Sequence, residues 1–400
     1  MSATTEQLVG RVRRRFTVEG TAATGAAVVS AVRAEPSSAA LADTAVLRLA
    51  DRVRHDLIGA GPLAPLLADP AVTDVLVNGA QVWVDRGRGL ERVPLAVGTA
   101  EDVRRLAQRM VAAAGRRLDD GAPCADARLP DGTRLNAILP PIGTTGPYLS
   151  LRVFRGEPVT LADLVRWAAF PPPVADVLAA IVAARLAYLV TGGTGSGKTT
   201  LLGTLLGLVP HTERIVLVED SAELRPAHPH VVGLQTRTSN VEGVGTVGLH
   251  DLVRQALRMR PDRLILGECR GAEVVELLAA LNTGHEGGAG TLHANTPADV
   301  PTRLEALGLT GGLPRHALHA QIAAAIQVVL HLRRSRRGER TLDSICLLAP
   351  EGPERLVTAV PAWSRARGIG PAAGRLARLL NEREVCVPPL LADALGQGSR

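Results

Sequence analysis

Between residues 39 and 58, Leu41, Val46, Leu49, Val53 and Leu57 line one face at helical spacing, and Ser37-Ser38 stands just ahead as a cap. The pattern predicts a helix over 39–58, stopped by the stretch 59–62 with its two glycines and a proline. The period then changes. VTDVLVNG (72–79) and QVWVDRGRGLERVPL (81–95) alternate apolar and polar residues, which predicts short strands, with a turn at Arg86-Gly87-Arg88-Gly89. A helix is expected over 100–114, and DARLPDGTRLNAILPP (126–141) reads as two strands around Pro130-Asp131-Gly132. YLSLRVF (148–154) adds another strand. Residues 37–155 thus form an α+β domain, with 1–36 before it as a polar, Ala-rich, loosely attached helical arm.

Beyond it the pattern shifts twice. Residues 156–173 read as a hinge holding a short helix (161–168) and stopped by Pro171-Pro172-Pro173. From 174 to 350, apolar strands alternate with helices, the pattern of a mostly parallel sheet and an α/β fold. The strands are LAYLV (186–190), RIVLVED (214–220), VVGLQT (231–236), RLILGE (263–268), GAGTLHAN (288–295), VVLHL (328–332) and TLDSICLLA (341–349). Helices are expected over 199–208, 249–259, 272–281, 298–307 and 314–326, and a basic turn over 333–340. Residues 351–400, broken by Pro and Gly, read as a tail, helical over 372–380.

Composition narrows the classes. Four hundred residues with 46% hydrophobic and 21% charged positions describe globular domains, two or three in number. Aromatics are only 2%, so bases have few rings to stack on, which argues against a single-strand nucleic-acid platform; nucleic acid is not expected as a required partner. A net charge of +6 fits an anionic partner: nucleotide, nucleic acid or membrane surface; scattered solvated arginines would give the same balance. The four cysteines lie far apart with no C-x₂-C pair, which argues against a zinc site or a disulfide framework. No run of 18 apolar residues occurs, and the N-terminus lacks the apolar core of a secretory signal. A cytoplasmic protein, touching a membrane at most peripherally, is expected.

The chemistry concentrates at LAYLVTGGTGSGKTTL (186–201), a strand, a glycine-rich loop and a helix start. That context suits a G-x-x-x-x-G-K-[ST] phosphate loop. Gly193, Thr194, Gly195, Ser196, Gly197, Lys198, Thr199 and Thr200 would wrap a polyphosphate with backbone N–H groups at the positive end of a helix. Lys198 would reach the β- and γ-phosphates, and the Thr199 hydroxyl would ligate Mg²⁺. The alternative is a glycine-rich turn that holds no ligand. Lys198 is the only lysine in the chain; every other basic residue of the Lys and Arg set is arginine. A compact ammonium is therefore kept where it must fit beside a phosphate.

Three more segments end strands in polar residues. RLILGECRG places Glu268 after an apolar strand, where a carboxylate can hold the Mg²⁺ shell directly or through water, or merely start a helix. RIVLVEDSAEL offers Glu219, Asp220 and Glu223, of which Glu223 is the candidate to polarise an attacking water. TGHEGGAGTLHAN carries His285 and His293, either of which could report a γ-phosphate or sit in the core.

The segments GGTGSGKTT, VLVEDSAEL, ALRMRPDRLILGECRGAE and NTGHEGGAGTLHANTP together resemble the Walker A, Asp box, Walker B and His box of the secretion ATPase superfamily. VTDVLVNG, DARLPDGTRLNAILPP and LSLRVF resemble the N-terminal domain of its branch of tight-adherence (Flp) pilus assembly and conjugative or type IV secretion ATPases. The resemblance covers about 57–348. It implies a RecA-like ATPase domain, ATP and Mg²⁺ as ligands, a homo-hexameric ring, and an inner-membrane platform protein as partner. It makes Lys198 and Thr199 the Walker A pair, Glu223 the catalytic glutamate, Glu268 the Walker B acid and His293 the His-box histidine. Arg134 and Arg152 match N-terminal-domain arginines that reach the phosphates. Glu286 departs from the shorter Asp usual there, and GGAG replaces a more hydroxyl-rich stretch.

Overall fold

The structure is a computed structural model; it describes residues 8, 11–12, 15, 25–38, 41–87, 89–129, 131–153, 158–237, 245–335 and 337–395. The expected turn residues Arg88 and Pro130, residues 156–157 of the expected hinge and most of the expected arm lie outside these. The chain divides into two compact units, Met1–Arg155 and Gly156–Arg400.

In the first unit, helices α1 (Gly25–Arg33) and α2 (Asp43–Ile58) pack through Val28, Val32, Val46, Leu49 and Val53, with Leu8 and Val12 buried among them. Leu8 and Val12, expected on a loose arm, are therefore part of a small core. After α3 (Ala64–Ala68) come strands β1 (Asp74–Asn78), β2 (Gln81–Asp85) and β3 (Leu90–Val93). Helix α4 (Ala100–Ala113) starts on a Thr99–Asp102 capping box, which satisfies two free N–H groups of its first turn. Strands β4 (Cys124–Arg128), β5 (Arg134–Ile138) and β6 (Tyr148–Arg152) complete an antiparallel sheet ordered β3-β2-β1-β6-β5-β4. Alternate residues such as Val75, Val77, Leu135 and Leu149 point into one core with Val103, Leu106 and Met110 of α4.

The second unit is built on nine strands ordered β15-β14-β13-β12-β7-β11-β10-β8-β9. These are β7 (Tyr188–Gly192), β8 (Ile215–Glu219), β9 (Val231–Gln235), β10 (Arg263–Cys269), β11 (Ala289–Leu292), β12 (Val328–Arg334), β13 (Arg340–Glu351), β14 (Leu356–Ser364) and β15 (Gly368–Ile369). Pairs from β12 across to β9 are parallel, and those from β12 out to β15 antiparallel. Helices cover both faces. Tyr188 and Val190 enter one core with α6 (Pro172–Ala183) and α7 (Lys198–Leu206). Leu189 enters the other with α8 (Leu249–Leu257), α9 (Glu273–Asn282), α10 (Asp299–Thr310) and α11 (Arg315–Ala325). A strand covered on both faces is mostly apolar, and every residue of β7 and β8 is buried, Thr191 and Glu219 at their ends included.

Three sequence expectations change. The prolines at 171–173 start α6 rather than stop a helix, because proline's fixed φ and missing N–H suit the first turn. The described part of the hinge, 158–173, belongs to this unit: helix α5 (Leu161–Arg166) is capped by Thr160 and Asp163, and Leu164 and Phe170 are buried in the first core. The tail likewise supplies β14, β15, α12 (Ala373–Glu382) and α13 (Pro389–Leu395), with Trp363, Leu376, Leu380 and Leu391 in that core. A boundary at 350 would cut through β13.

Candidate functional site

The parallel strands β7, β8, β10, β11 and β12 run the same way, so their C-terminal ends gather the polar residues at one edge, where open α/β sheets hold ligands. At the end of β7 the chain enters the glycine-rich loop. Gly192 has φ +144°, and a Cβ on it would lie 2.4 Å from the Leu332 carbonyl oxygen and 2.7 Å from Ser196 Oγ. Gly195 (φ +68°) and Gly197 (φ +96°) take left-handed backbone, Gly197 as the residue before α7. The loop therefore needs glycine at all three positions.

Lys198, only 8% exposed, turns its ammonium back under the loop. Nζ donates to the carbonyls of Gly192 (3.1 Å) and Gly193 (2.9 Å). Burial pushes the ammonium below the ordinary lysine value; the Glu268 carboxylate acts the other way, and Arg270 adds to the depression. Thr199 is half-buried and Thr200 exposed in the first turn of α7. Ser196 Oγ is buried without a hydrogen-bond partner.

From Lys198 a row of charged groups leads across the sheet. His293, just past β11, has Nε2 3.4 Å from Lys198 Nζ and 3.1 Å from Glu268 Oε1. A proton on Nε2 serves the carboxylate, so the ring donates to Glu268 and the ammonium beside it is a neighbour, not a donor to it. Burial, then the Lys198 charge, lowers the proton affinity of His293 and keeps the ring neutral near pH 7. Arg270 Nε donates to the other oxygen of Glu268 (2.7 Å), and Nη1 lies 3.5 Å from Asp220. Glu219, buried at the end of β8, accepts from the backbone N–H of Glu223 (2.9 Å) and Leu224 (3.0 Å). It thereby fixes the turn that carries the half-buried Glu223; the Arg270 guanidinium is held protonated first by its hydrogen bond to Glu268 and then by the nearby charges of Glu268, Asp220 and Glu223.

The structure thus brings Lys198, Glu268 and His293 together and places Glu223 on the turn beside Asp220. Arg134 and Arg152 lie in the first unit, on β5 and β6, where they are cross-strand partners. Arg152 pairs there with Asp74 (3.0 Å). His285 turns instead to the carbonyl of Ala280 (3.3 Å), and Glu286 pairs with Arg383 (2.7 Å). Thr291 donates its hydroxyl to the Gly267 carbonyl (2.6 Å), between the ends of β10 and β11.

Sequence reasoning missed several contributors. Arg270 stands two residues after Glu268, a spacing that returns a side chain to the same side of an extended chain. Thr191 Oγ1 and His331 Nδ1, 2.9 Å apart, tie β7 to β12 in the interior. Arg340 Nε donates to the Gly195 carbonyl (3.0 Å), a contact 145 residues apart that no local pattern announces. A cavity of about 670 Å³ adjoins the loop on this side, lined among others by Gly193, Thr194, Asn295, His331 and Arg334.

The family described as "Type II/IV secretion system protein" matches residues 56–356. A Mycobacterium tuberculosis protein named "Putative conjugal transfer protein" is 54% identical over 350 residues, 86% of this chain and 99% of its own length. The conjugal transfer protein TrbB of Rhizobium radiobacter is 30% identical over 289 residues, 71% of this chain and 86% of its own. Among solved structures, the pilus retraction motor PilT with bound ADP shares the fold, with a TM-score of 0.52 at 22% identity over 73% of this chain and 83% of that one.

Proposed function

The chain belongs to the type II/IV secretion system protein family, and on that footing we propose that it is an ATP hydrolase. It works as a homo-hexameric ring, converting hydrolysis into domain motion that powers pilus assembly or protein secretion through an inner-membrane platform protein. Its place is the cytoplasmic face of the membrane; among the described residues no helix is long and apolar enough to cross one. The observation that carries the reading is the buried Lys198 ammonium, held under the glycine-rich loop and next to His293 and Glu268.

The residues present fit a polyphosphate. The buried, unpartnered Ser196 Oγ and the free N–H groups at the start of α7 offer donors beside the ammonium. Gly193, Thr194, Gly195, Ser196, Gly197, Thr199 and Thr200 would bind through their backbone, and Lys198 would exchange carbonyl partners for phosphate oxygens. Among the described residues no cluster of three His, Cys, Asp or Glu could hold a metal. Mg²⁺ would rest on the Thr199 hydroxyl, on Glu268 directly or through water, and on the phosphates, where it neutralises developing charge. Glu223 would orient and deprotonate the attacking water, and His293 would hold the Glu268 carboxylate in place. Arg134 and Arg152 are the proposed stabilisers of charge at the transferred phosphate.

A second reading, a motor of conjugative DNA transfer, is favoured by the conjugal-transfer names of the relatives in Mycobacterium tuberculosis and Rhizobium radiobacter. Steady-state phosphate release by the purified oligomer tests the shared chemistry. Mg²⁺-dependent release is expected; its absence would make the protein a nucleotide-binding regulator that switches without turnover. Neighbouring genes separate the two motors: pilins and a platform protein on one side, a relaxase and a coupling protein on the other.

A further inference from the structure

The β12–β13 hairpin reaches back to the phosphate loop with two arginines. Arg334 and Arg340 are cross-strand partners near its tip, and both meet the loop at one residue, Gly195. Arg340 Nε donates to the Gly195 carbonyl at 3.0 Å, and a Cβ on Gly195 would lie 3.0 Å from Arg334 Nη1.

That contact acts on a peptide plane. The Gly195 carbonyl and the Ser196 N–H belong to one planar trans unit and point in opposite directions. With the carbonyl drawn out toward Arg340, the Ser196 N–H is turned into the loop. There it faces the Gly193 carbonyl (3.4 Å), which also accepts from Lys198 Nζ (2.9 Å). Gly195 sits at φ +68° and, lacking a side chain, resists a flip of this plane poorly. A flip would aim a carbonyl oxygen, instead of an N–H, at any anion beside Lys198. The same freedom that lets the loop wrap a phosphate leaves it in need of an external hold.

We infer that Arg340 is a positioning residue that fixes the Gly195–Ser196 peptide with its N–H inward, and so sets the affinity of the loop for the phosphates of a nucleotide. The inference rests on the ATPase reading above. It gives a role to the hairpin that the sequence shows only as a basic turn over 333–340. Arg334 Nη1 lies where a Cβ on Gly195 would point.

The test compares Arg340→Ala with Arg337→Ala, which removes a cation from the same hairpin without touching Gly195. Arg340→Met, which keeps an aliphatic stem, serves if the Ala variant unfolds. A fluorescent ADP analogue and inorganic pyrophosphate are titrated without Mg²⁺, and hydrogen exchange is followed in the nucleotide-free protein. Loss of the clamp should weaken both ligands by about five- to tenfold and speed exchange in peptides covering 192–198, not in the β12–β13 strands. At saturating ATP, kcat should stay within about twofold, because the lost contact serves ground and transition state alike. Unchanged affinity in Arg340→Ala, or an equal loss in Arg337→Ala, overturns the inference, the latter because it would mean a general charge effect. If the wild-type protein binds neither ligand, the ATPase reading fails first and takes the clamp with it.

Discussion

His293 Nε2 lies 3.1 Å from Glu268 Oε1, joining the ends of the neighbouring parallel strands β11 and β10. The carboxylate is held on its other oxygen by Arg270. Glu268 is thus gripped from both sides, and the neutral ring supplies orientation without a further charge. His293→Ala should lower kcat by about ten- to a hundredfold, as loss of a partner orienting a metal-holding carboxylate typically does. His293→Asn, which can still donate to Glu268, should recover part of the loss. Phosphate release at saturating Mg·ATP measures both, and an unaffected His293→Ala protein would remove the ring from the mechanism.

Lys198 and Glu223 should fail in different ways. Lys198→Ala removes the buried cation and the hydrogen bonds it gives the Gly192 and Gly193 carbonyls, so nucleotide binding and turnover should both disappear. Glu223→Gln keeps the turn, because Glu219 holds that residue through its backbone N–H. Binding of ATP should survive while hydrolysis drops by about 10²- to 10⁴-fold. Equilibrium binding and single-turnover hydrolysis on both variants separate the roles; normal turnover by Glu223→Gln contradicts the assignment.

Arg134→Ala and Arg152→Ala test the first unit's share. If either guanidinium stabilises charge at the transferred phosphate, kcat of the assembled oligomer should fall by about tenfold or more. In Arg152→Ala folding should scarcely change, since the Arg152–Asp74 pair is exposed on the arginine side and such pairs contribute about 0–1 kcal/mol. Full activity in both variants would leave these residues as strand-pairing arginines.

Most of this site was legible because its residues sit in compact segments at strand ends. Glu268 and His293 stand at the ends of runs of mostly buried strand residues, and Lys198 follows the glycine loop that breaks such a run; those runs are what the sequence shows. The helices starting at Lys198, Leu249, Glu273, Asp299 and Arg315 are legible because they alternate with those apolar strands. What stayed hidden depends on pairing between distant segments. Arg340 meets Gly195, and His331 meets Thr191, only because β12 pairs with β7. The sequence after 350 looked like a tail because Pro361 and several glycines interrupt it, yet β14 tolerates Pro361 at a register shift against β13. Proline also misled at 171–173, where the same residue that ends one helix opens another.

Acid should destabilise the protein through two histidines. Burial is the leading cause that lowers the proton affinity of both His293 and His331 in the folded state. Unfolding restores the ordinary value near 6.5, so the unfolded chain binds more protons below that pH. Stability is therefore full above about pH 7 and falls as the pH drops from 6.5 toward the lowered folded values. The window lies well above that of Asp102, whose carboxyl is held at about 2 by the Thr99 backbone and side chain and then Arg105. Urea midpoints between pH 8 and 5.5 should fall, and less steeply for His331→Gln. A flat profile would mean that neither ring is held neutral by the fold.

Gly192 and Gly193 are adjacent glycines with opposite demands, and replacing each by alanine should separate backbone need from ligand access. Gly192 pairs with Leu332 across β7 and β12, and a Cβ there would lie 2.4 Å from that residue's carbonyl oxygen. Its φ of +144° is also one that L-residues rarely adopt. Alanine must then shift the last rung of the ladder or leave that backbone angle, at a cost of about 2–4 kcal/mol. At Gly193 a Cβ would meet nothing within 4 Å, so Gly193→Ala should change stability by no more than about 0.5 kcal/mol. Its added methyl group stands instead on the exposed face of the loop, beside the carbonyl that receives Lys198, and should show as weaker nucleotide binding. Urea unfolding of the second unit and ADP titration of both variants read the two effects independently. Equal stability losses would mean that the loop adapts at Gly192 without breaking its pairing to β12.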